Sequence, residues 1–215
     1  DASQHLAEIQ RLLKEDKNKE AQNLLQKHFV SAGQGTAFGN GANAKYGSYQ
    51  IFADLLINWQ DSTGVVTDYK RALNLNNALA VTKWKKNGVN FKEEVLSSGA
   101  DNVIVVRLTA DKPNALNYNV LLNRKEDAQF SAAGNNITMT GQLPGGNGEL
   151  GIRFAGYAKV LPTNGKLETK NNSIKVTGSS ECIIILSAAT DLNWPTVEKR
   201  GNDPVGVVQK TVNTA

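Results

Sequence analysis

Five carboxylates lie in or beside apolar runs of this chain: Asp54, Glu93, Glu94, Glu149 and Asp191. Two carboxyl groups facing one bond are what glycoside hydrolysis requires. In VNFKEEVL, a strand period puts Glu93 on the face of Phe91 and Val95 and turns Glu94 the other way. A carboxylate on an apolar strand face reads as an ion-paired residue before it reads as a catalyst. Asp191, in AATDLNW, follows an apolar run at a place where a loop could carry function, and a turn-capping aspartate is the plainer reading. No two of these acids form a recognisable catalytic pair.

A second kind of chemistry is suggested by YGSYQIFADLLINW, residues 46–59. Aromatic planes beside amide and carboxylate groups suit a sugar, whose C–H faces stack while its hydroxyls hydrogen-bond. The same residues also suit a half-buried strand. Tyr49 and Gln50 stand just ahead of the apolar run and are candidates for the rim of a substrate site. Trp59, Trp84 and Trp194 are dispersed in the sequence and read first as packing residues.

Other chemistries find little support. His5 and His28 are far apart in an N-terminal helical stretch, and with one cysteine there is no Cys/His metal set. GQGTAFGNG lacks the Lys-Ser/Thr and the strand–turn–helix frame of a phosphate loop. No cofactor and no metal are expected. Cys182, inside CIIIL, reads as a small core hydrophobe. Lysine and arginine total 24 against 20 acids, a net charge of +4, and they are scattered, so no nucleic-acid footprint emerges. No run approaches the ~20 apolar residues that span a bilayer, so no membrane partner is expected. The chain starts without methionine, inside a helix and with no export signal, and is expected to be a piece of a longer polypeptide.

The elements that must position these residues follow from periodicity. Residues 3–29 read as two short helices, with Leu6, Ile9 and Leu13 on one face of the first. Asp16 is the expected N-cap of the second, whose stripe is Ala21, Leu24, Leu25 and Phe29. These stripes should pack on the rest of the domain. Residues 30–48, rich in Gly, Asn and Ala, read as a long loop. Ile51, Phe52, Leu55 and Leu56 are expected to begin the first strand. Beyond it the period is two: Leu116, Tyr118, Val120 and Leu122; Ile137, Met139 and Leu143; Ile152, Phe154, Ala158 and Val160. NVIVVRLTA and ECIIILSAAT are apolar on both faces and should be central strands. Turn signals such as NGV, DKPNA, PGGNG and TNGK separate about ten strands between about residues 50 and 190. Asp203-Pro204 could cap and open a helix, with little chain left to bury it, so residues 201–215 read as the start of a linker.

The ordered motifs resemble the N-terminal domain of glycoside hydrolase family 95, the α-L-fucosidases. HLAEIQRLLKEDKNKEAQNLLQKHF resembles that family's helix pair, and YGSYQIFADLLINW its Tyr-Gln-x-x-x-Asp-Leu segment. The fullest match runs from Tyr69, Arg71, Leu73, Leu75 and Ala78 through Gly88-Val89, Glu94-Val95 and Ser98 to VIVVRLTADKP; LSAATD and Asp203-Pro204 complete the order. Two departures stand out. Ile51-Phe52-Ala53 replaces the family's Pro-Leu-Gly, and the family's opening strands have no counterpart here. The fold class expected is mainly β: a large antiparallel β-sandwich of the supersandwich type with a short N-terminal helix pair, over residues 1–200.

The resemblance implies a part of an enzyme that removes terminal α-L-fucose, or α-L-galactose, with inversion. It also implies that the chemistry belongs to an (α/α)6-barrel elsewhere in the same polypeptide, so no catalytic residue carries over to this chain. The implied partners are that barrel and, through the full enzyme, a fucosylated oligosaccharide; the implied location is extracellular or periplasmic. Tyr49, Gln50 and Asp191 remain the substrate-rim candidates. Two other readings stand beside this one. One is a free-standing carbohydrate-binding sandwich, which needs exposed aromatics aligned on one concave face. The other is a purely structural inter-domain module.

Overall fold

A computed structural model describes residues 2–29, 51–146, 149–192 and 201–215 of the 215-residue chain. They fall into two compact units. One contains the N-terminal helices and Pro144–Gly151; the other contains Ile51–Leu143 and Ile152–Ala215. The expected loop 30–48 lies outside the described residues.

In the first unit a short 3-10 turn, Ala2–His5, runs into α1 (Leu6–Lys14), which is followed by α2 (Asn18–His28). Both predicted helices are present, but the buried face differs from the expected one. Ile9, Leu12 and Ala21 form the small core with Leu24 against it, while Leu6, Leu13, Leu25 and Phe29 stay exposed. The turn between the helices explains the difference. Asp16 takes a left-handed φ of 57°, and the Lys17 N–H returns to the Leu12 carbonyl at 2.9 Å, so α2 is laid along the Ile9/Leu12 side. Asp16 therefore ends α1. It does not cap α2, which follows Lys17 without a side-chain cap.

The second unit begins with β1 (Asp54–Trp59), β2 (Val66–Asn74), β3 (Leu79–Lys86), β4 (Val89–Ser98) and β5 (Val103–Ala110). After these come β6 (Leu116–Asn123), β7 (Ala128–Ala133), β8 (Asn136–Gly146) and β9 (Glu149–Pro162), the last two belonging to this unit up to Leu143 and from Ile152. β10 (Lys166–Lys170), β11 (Ser173–Ser179), β12 (Glu181–Thr190) and α3 (Pro204–Thr214) complete the order. Twelve strands are described where about ten were expected. β1 starts at Asp54, later than predicted. Ile51 is exposed, and Phe52 and Ala53 pack on the core ahead of the strand.

The strands form two sheets, ordered β1-β6-β11-β10 and β2-β3-β4-β5-β12-β9-β8-β7. The ladders whose register is described are antiparallel. The two doubly apolar runs, β5 and β12, are neighbours at the middle of the larger sheet, as their composition predicted. One core lies between the sheets. Leu116, Tyr118, Val120 and Leu122 of β6 meet Leu108, Ile137, Met139, Phe154, Val160 and Ile184 of the larger sheet. Cys182 is fully buried in this core. Gly141 is required by close approach, since a Cβ there would lie 2.1 Å from the Asp127 carbonyl oxygen and 2.2 Å from the Phe154 ring.

The C-terminal helix differs from expectation. Asp203 does cap it, accepting the N–H groups of Val205 and Gly206, and Pro204 occupies its first turn. But α3 is seated on the sheet: Val208 and Val212 are buried with Ala155 and Tyr157 of β9, beside Ile185 and Ala189 of β12. Its partner surface is the outer face of β9 and β12, which buries the helix without further chain.

Candidate functional site

β1 is the edge strand of the smaller sheet, while the larger sheet carries β2 and β3 at its own edge. Along that edge the described residues leave the inner face open: Val66, Tyr69 and Leu73 are exposed. A groove of about 660 Å³ results, lined by residues of β1, β2, β3, β4 and the start of β6.

Register places the groove's side chains. Trp84 pairs with Phe91, and Arg71, Thr82, Glu93 and Leu108 form one row across β2, β3, β4 and β5. A bulge between Thr67 and Lys70, with Asp68 at a φ of 54°, resets the alternation of β2, so Val66 ahead of it and Arg71 beyond it both line the groove. Trp59 from β1 meets Trp84 edge-on at 5.5 Å and Phe91 at 5.2 Å, and Trp84 stacks on Phe91 at 5.4 Å. The tryptophans of β1 and β3, dispersed in sequence, thus form one cluster; Trp194 lies outside the described residues.

The polar walls are mostly fixed by their own hydrogen bonds. Asp61 accepts the N–H and hydroxyl of Thr63 and the amide of Asn87, and these donors hold its carboxyl below the usual range. Lys86 donates to the Asp61 carbonyl and stands 3.7 Å from its carboxylate. The Asn117 side chain is tied to Gly178 N–H and to the carbonyls of Asn114 and Ala115. Arg71 and Glu93 are different: neither makes a hydrogen bond or ion pair among the described residues. Burial raises the Glu93 carboxyl above the ordinary range, and the positive charge of Arg71 opposes that rise.

The sequence reading of the neighbouring acids is therefore reversed in one respect. The ion-paired residue is Glu94, on the other face, 2.6 Å from Lys92 and 3.5 Å from Arg107. Glu93, on the apolar face, has no such partner. Asp54 is exposed at the start of β1, and the side chain of Glu149 lies outside the described residues.

Of the predicted rim residues, Tyr49 and Gln50 lie outside the described residues. Asp191 is described and is 2% exposed. Its Oδ1 accepts the backbone N–H of Arg153 and its Oδ2 the Arg153 Nε–H, both at 3.1 Å. Its carbonyl accepts the Gly201 N–H, and Arg153 also donates to the Asn202 carbonyl. This clasp joins the end of β12 to β9 and to the segment that leads into α3. His5 and His28 come together as a stacked pair with ring centroids 3.6 Å apart. Among the described residues no group of three or more His, Cys, Asp or Glu side chains could hold a metal ion.

The tertiary grouping of Trp59, Tyr69, Arg71, Trp84 and Glu93 was not foreseen. The one local signal was Glu93 on an apolar face. The chain is similar to known proteins in three respects. Residues 1–194 match the family model described as glycosyl hydrolase family 65, N-terminal domain. Alpha-L-fucosidase 2 of Arabidopsis thaliana is 24% identical over 170 residues, covering 68% of this chain. The chain spans 20% of that protein's length. A solved structure described as "Putative kojibiose phosphorylase from human microbiome" aligns with a TM-score of 0.46 at 12% identity, over 74% of this chain and 24% of that one. The N-terminal folds of families 65 and 95 are shared, so the resemblance read from the motifs and the family match agree. By the match over residues 1–194, the chain belongs to the glycosyl hydrolase family 65 N-terminal domain family.

Proposed function

We propose that this chain is the non-catalytic N-terminal domain of an α-L-fucosidase-type glycoside hydrolase. Its sandwich braces an (α/α)6-barrel of the same polypeptide, and that barrel removes terminal α-L-fucose with inversion. The observation that carries the reading is the 170-residue similarity to Alpha-L-fucosidase 2, within a family match that covers most of the chain. The geometry is in keeping with it. Glu94, Glu181 and Asp191 are each engaged by arginine or lysine side chains, which fits structural carboxylates better than a catalytic acid and base. Tyr49 and Gln50 would lie at the rim shared with the barrel, and Asp191 would hold that edge in place. An enzyme acting on fucosylated glycans would work outside the cytoplasm.

The experiment is a comparison of L-fucose release from a fucosylated oligosaccharide by the parent polypeptide and by the 215-residue chain. Release by the parent alone, with inverted configuration at the anomeric carbon, is the expected result. Release by the chain alone would place the chemistry in this domain and end the proposal.

A further inference from the structure

We propose that the groove over β1–β4 is a binding site for a neutral saccharide of one or two pyranose rings. The proposal deepens the reading above, on which the choice of ligand class partly rests, by giving this domain a sugar contact of its own.

Size and lining come first. About 660 Å³ is within the range of small-molecule sites, and the walls mix aromatic faces with a few polar groups. Tyr69 is 57% exposed, and Trp59 and Trp84 are partly exposed beside it. These rings offer planes to the C–H faces of a sugar.

Charge narrows the class. Among the described residues, the ionisable groups of the lining are Asp61, Arg71, Lys86 and Glu93, beside the tyrosine. Two are cationic and two anionic, so the described lining has no net charge to attract a phosphate or an acidic sugar. Lys86 and Asp61 are bound to each other. Arg71 and Glu93 remain, in one cross-strand row with Thr82 between them, as a donor and an acceptor that make no hydrogen bond or ion pair among the described residues.

That row also argues against an apolar protein segment as the occupant. Covering it with apolar side chains would strip water from a guanidinium and a carboxyl group whose hydrogen-bonding capacity Arg71 and Glu93 do not fill for each other, which is costly. A polyhydroxylated ligand offers both acceptors to Arg71 and donors to Glu93, while its ring stacks on the aromatic plane.

The test is a titration of the 215-residue chain with L-fucose, 2′-fucosyllactose and maltose, read by tryptophan fluorescence and by the indole N–H signals of Trp59 and Trp84. Saturable shifts with half-saturation at about 1–10 mM for at least one of these sugars are expected. Trp84 is partly core, so the variants are at exposed positions: Tyr69→Ala and Arg71→Ala should each weaken binding about tenfold or more, with the melting temperature nearly unchanged. No saturable shift up to about 50 mM would overturn the proposal. So would binding that both variants leave intact, or concentration-dependent self-association that itself accounts for the indole shifts. A negative result here leaves fucose release by the parent untouched, so the two proposals fail separately.

Discussion

Asp191 and Arg153 form a two-point clasp across the end of the sandwich: one carboxylate oxygen takes the backbone N–H and the other the guanidinium, both at 3.1 Å. The aspartate is buried, and the arginine side chain is half exposed. Asp191→Ala would leave a part-buried backbone N–H without its acceptor and is expected to cost about 1–3 kcal/mol. Asp191→Asn keeps an acceptor for that N–H and should cost less. Urea unfolding of the two variants gives the comparison.

Trp59 is the point where the smaller sheet meets the edge of the larger, touching Trp84, Phe91 and Tyr118. Trp59→Ala removes three ring contacts and opens a cavity, for a loss of about 3 kcal/mol. Trp59→Phe should recover much of it. Thermal melts that show no loss for the alanine variant would mean that these contacts do not hold the two sheets together.

The Gly141→Ala substitution places a methyl group against backbone, the Asp127 carbonyl, as well as against Phe154. Because the backbone contact cannot be relieved by a rotamer change, the expected loss is about 3 kcal/mol, at the upper end for overpacking. Comparison with Gly99→Ala, where nothing lies within 4 Å, separates steric cost from the general effect of replacing glycine.

Glu93 should make stability fall as the pH rises. Burial raises its folded pKa above the ordinary carboxylate value, so between the unfolded and folded values the folded state holds more protons. By linkage the stability contribution is present below the unfolded pKa and is lost as pH rises through the folded one. Glu93→Gln should therefore raise the melting temperature at pH 7 and change it little at pH 4. An equal change at both values would locate the effect in packing instead of charge.

Asp203 caps α3, and α3 covers the outer face of β9 and β12. Asp203→Ala should cost about 1 kcal/mol, and Asp203→Ser should restore most of it. Val208→Asp, at a fully buried position, should detach the helix. Faster amide exchange in α3 and on the outer face of β12 would report that detachment.

Much of the fold was legible in local patterns. The alternation Leu116, Tyr118, Val120, Leu122 named the buried face of β6, and the doubly apolar runs named the two central strands. Asp203-Pro204 named a helix start. The misreadings have a common cause. Leu6 and Leu13 were as apolar as Ile9 and Leu12, and only the turn at Asp16 chose between the faces. The partner surface of α3 lies in strands that precede it, Tyr157 of β9 and Ile185 of β12, and not in chain beside it.

Sequence alone determined which segments are strands or helices and, for most strands, which side faces the core. Those properties follow from backbone sterics and from the burial of alternate side chains, both readable within a few residues. Tertiary structure decided which side chains meet. Trp59 reaches Trp84 between two sheets, Arg71 and Glu93 share a row through β3, and Arg153 closes on Asp191 from 38 residues away. Sheet order and register set these meetings, and no local period encodes them. The groove, and Glu93 within it without a partner, therefore belongs to the folded molecule.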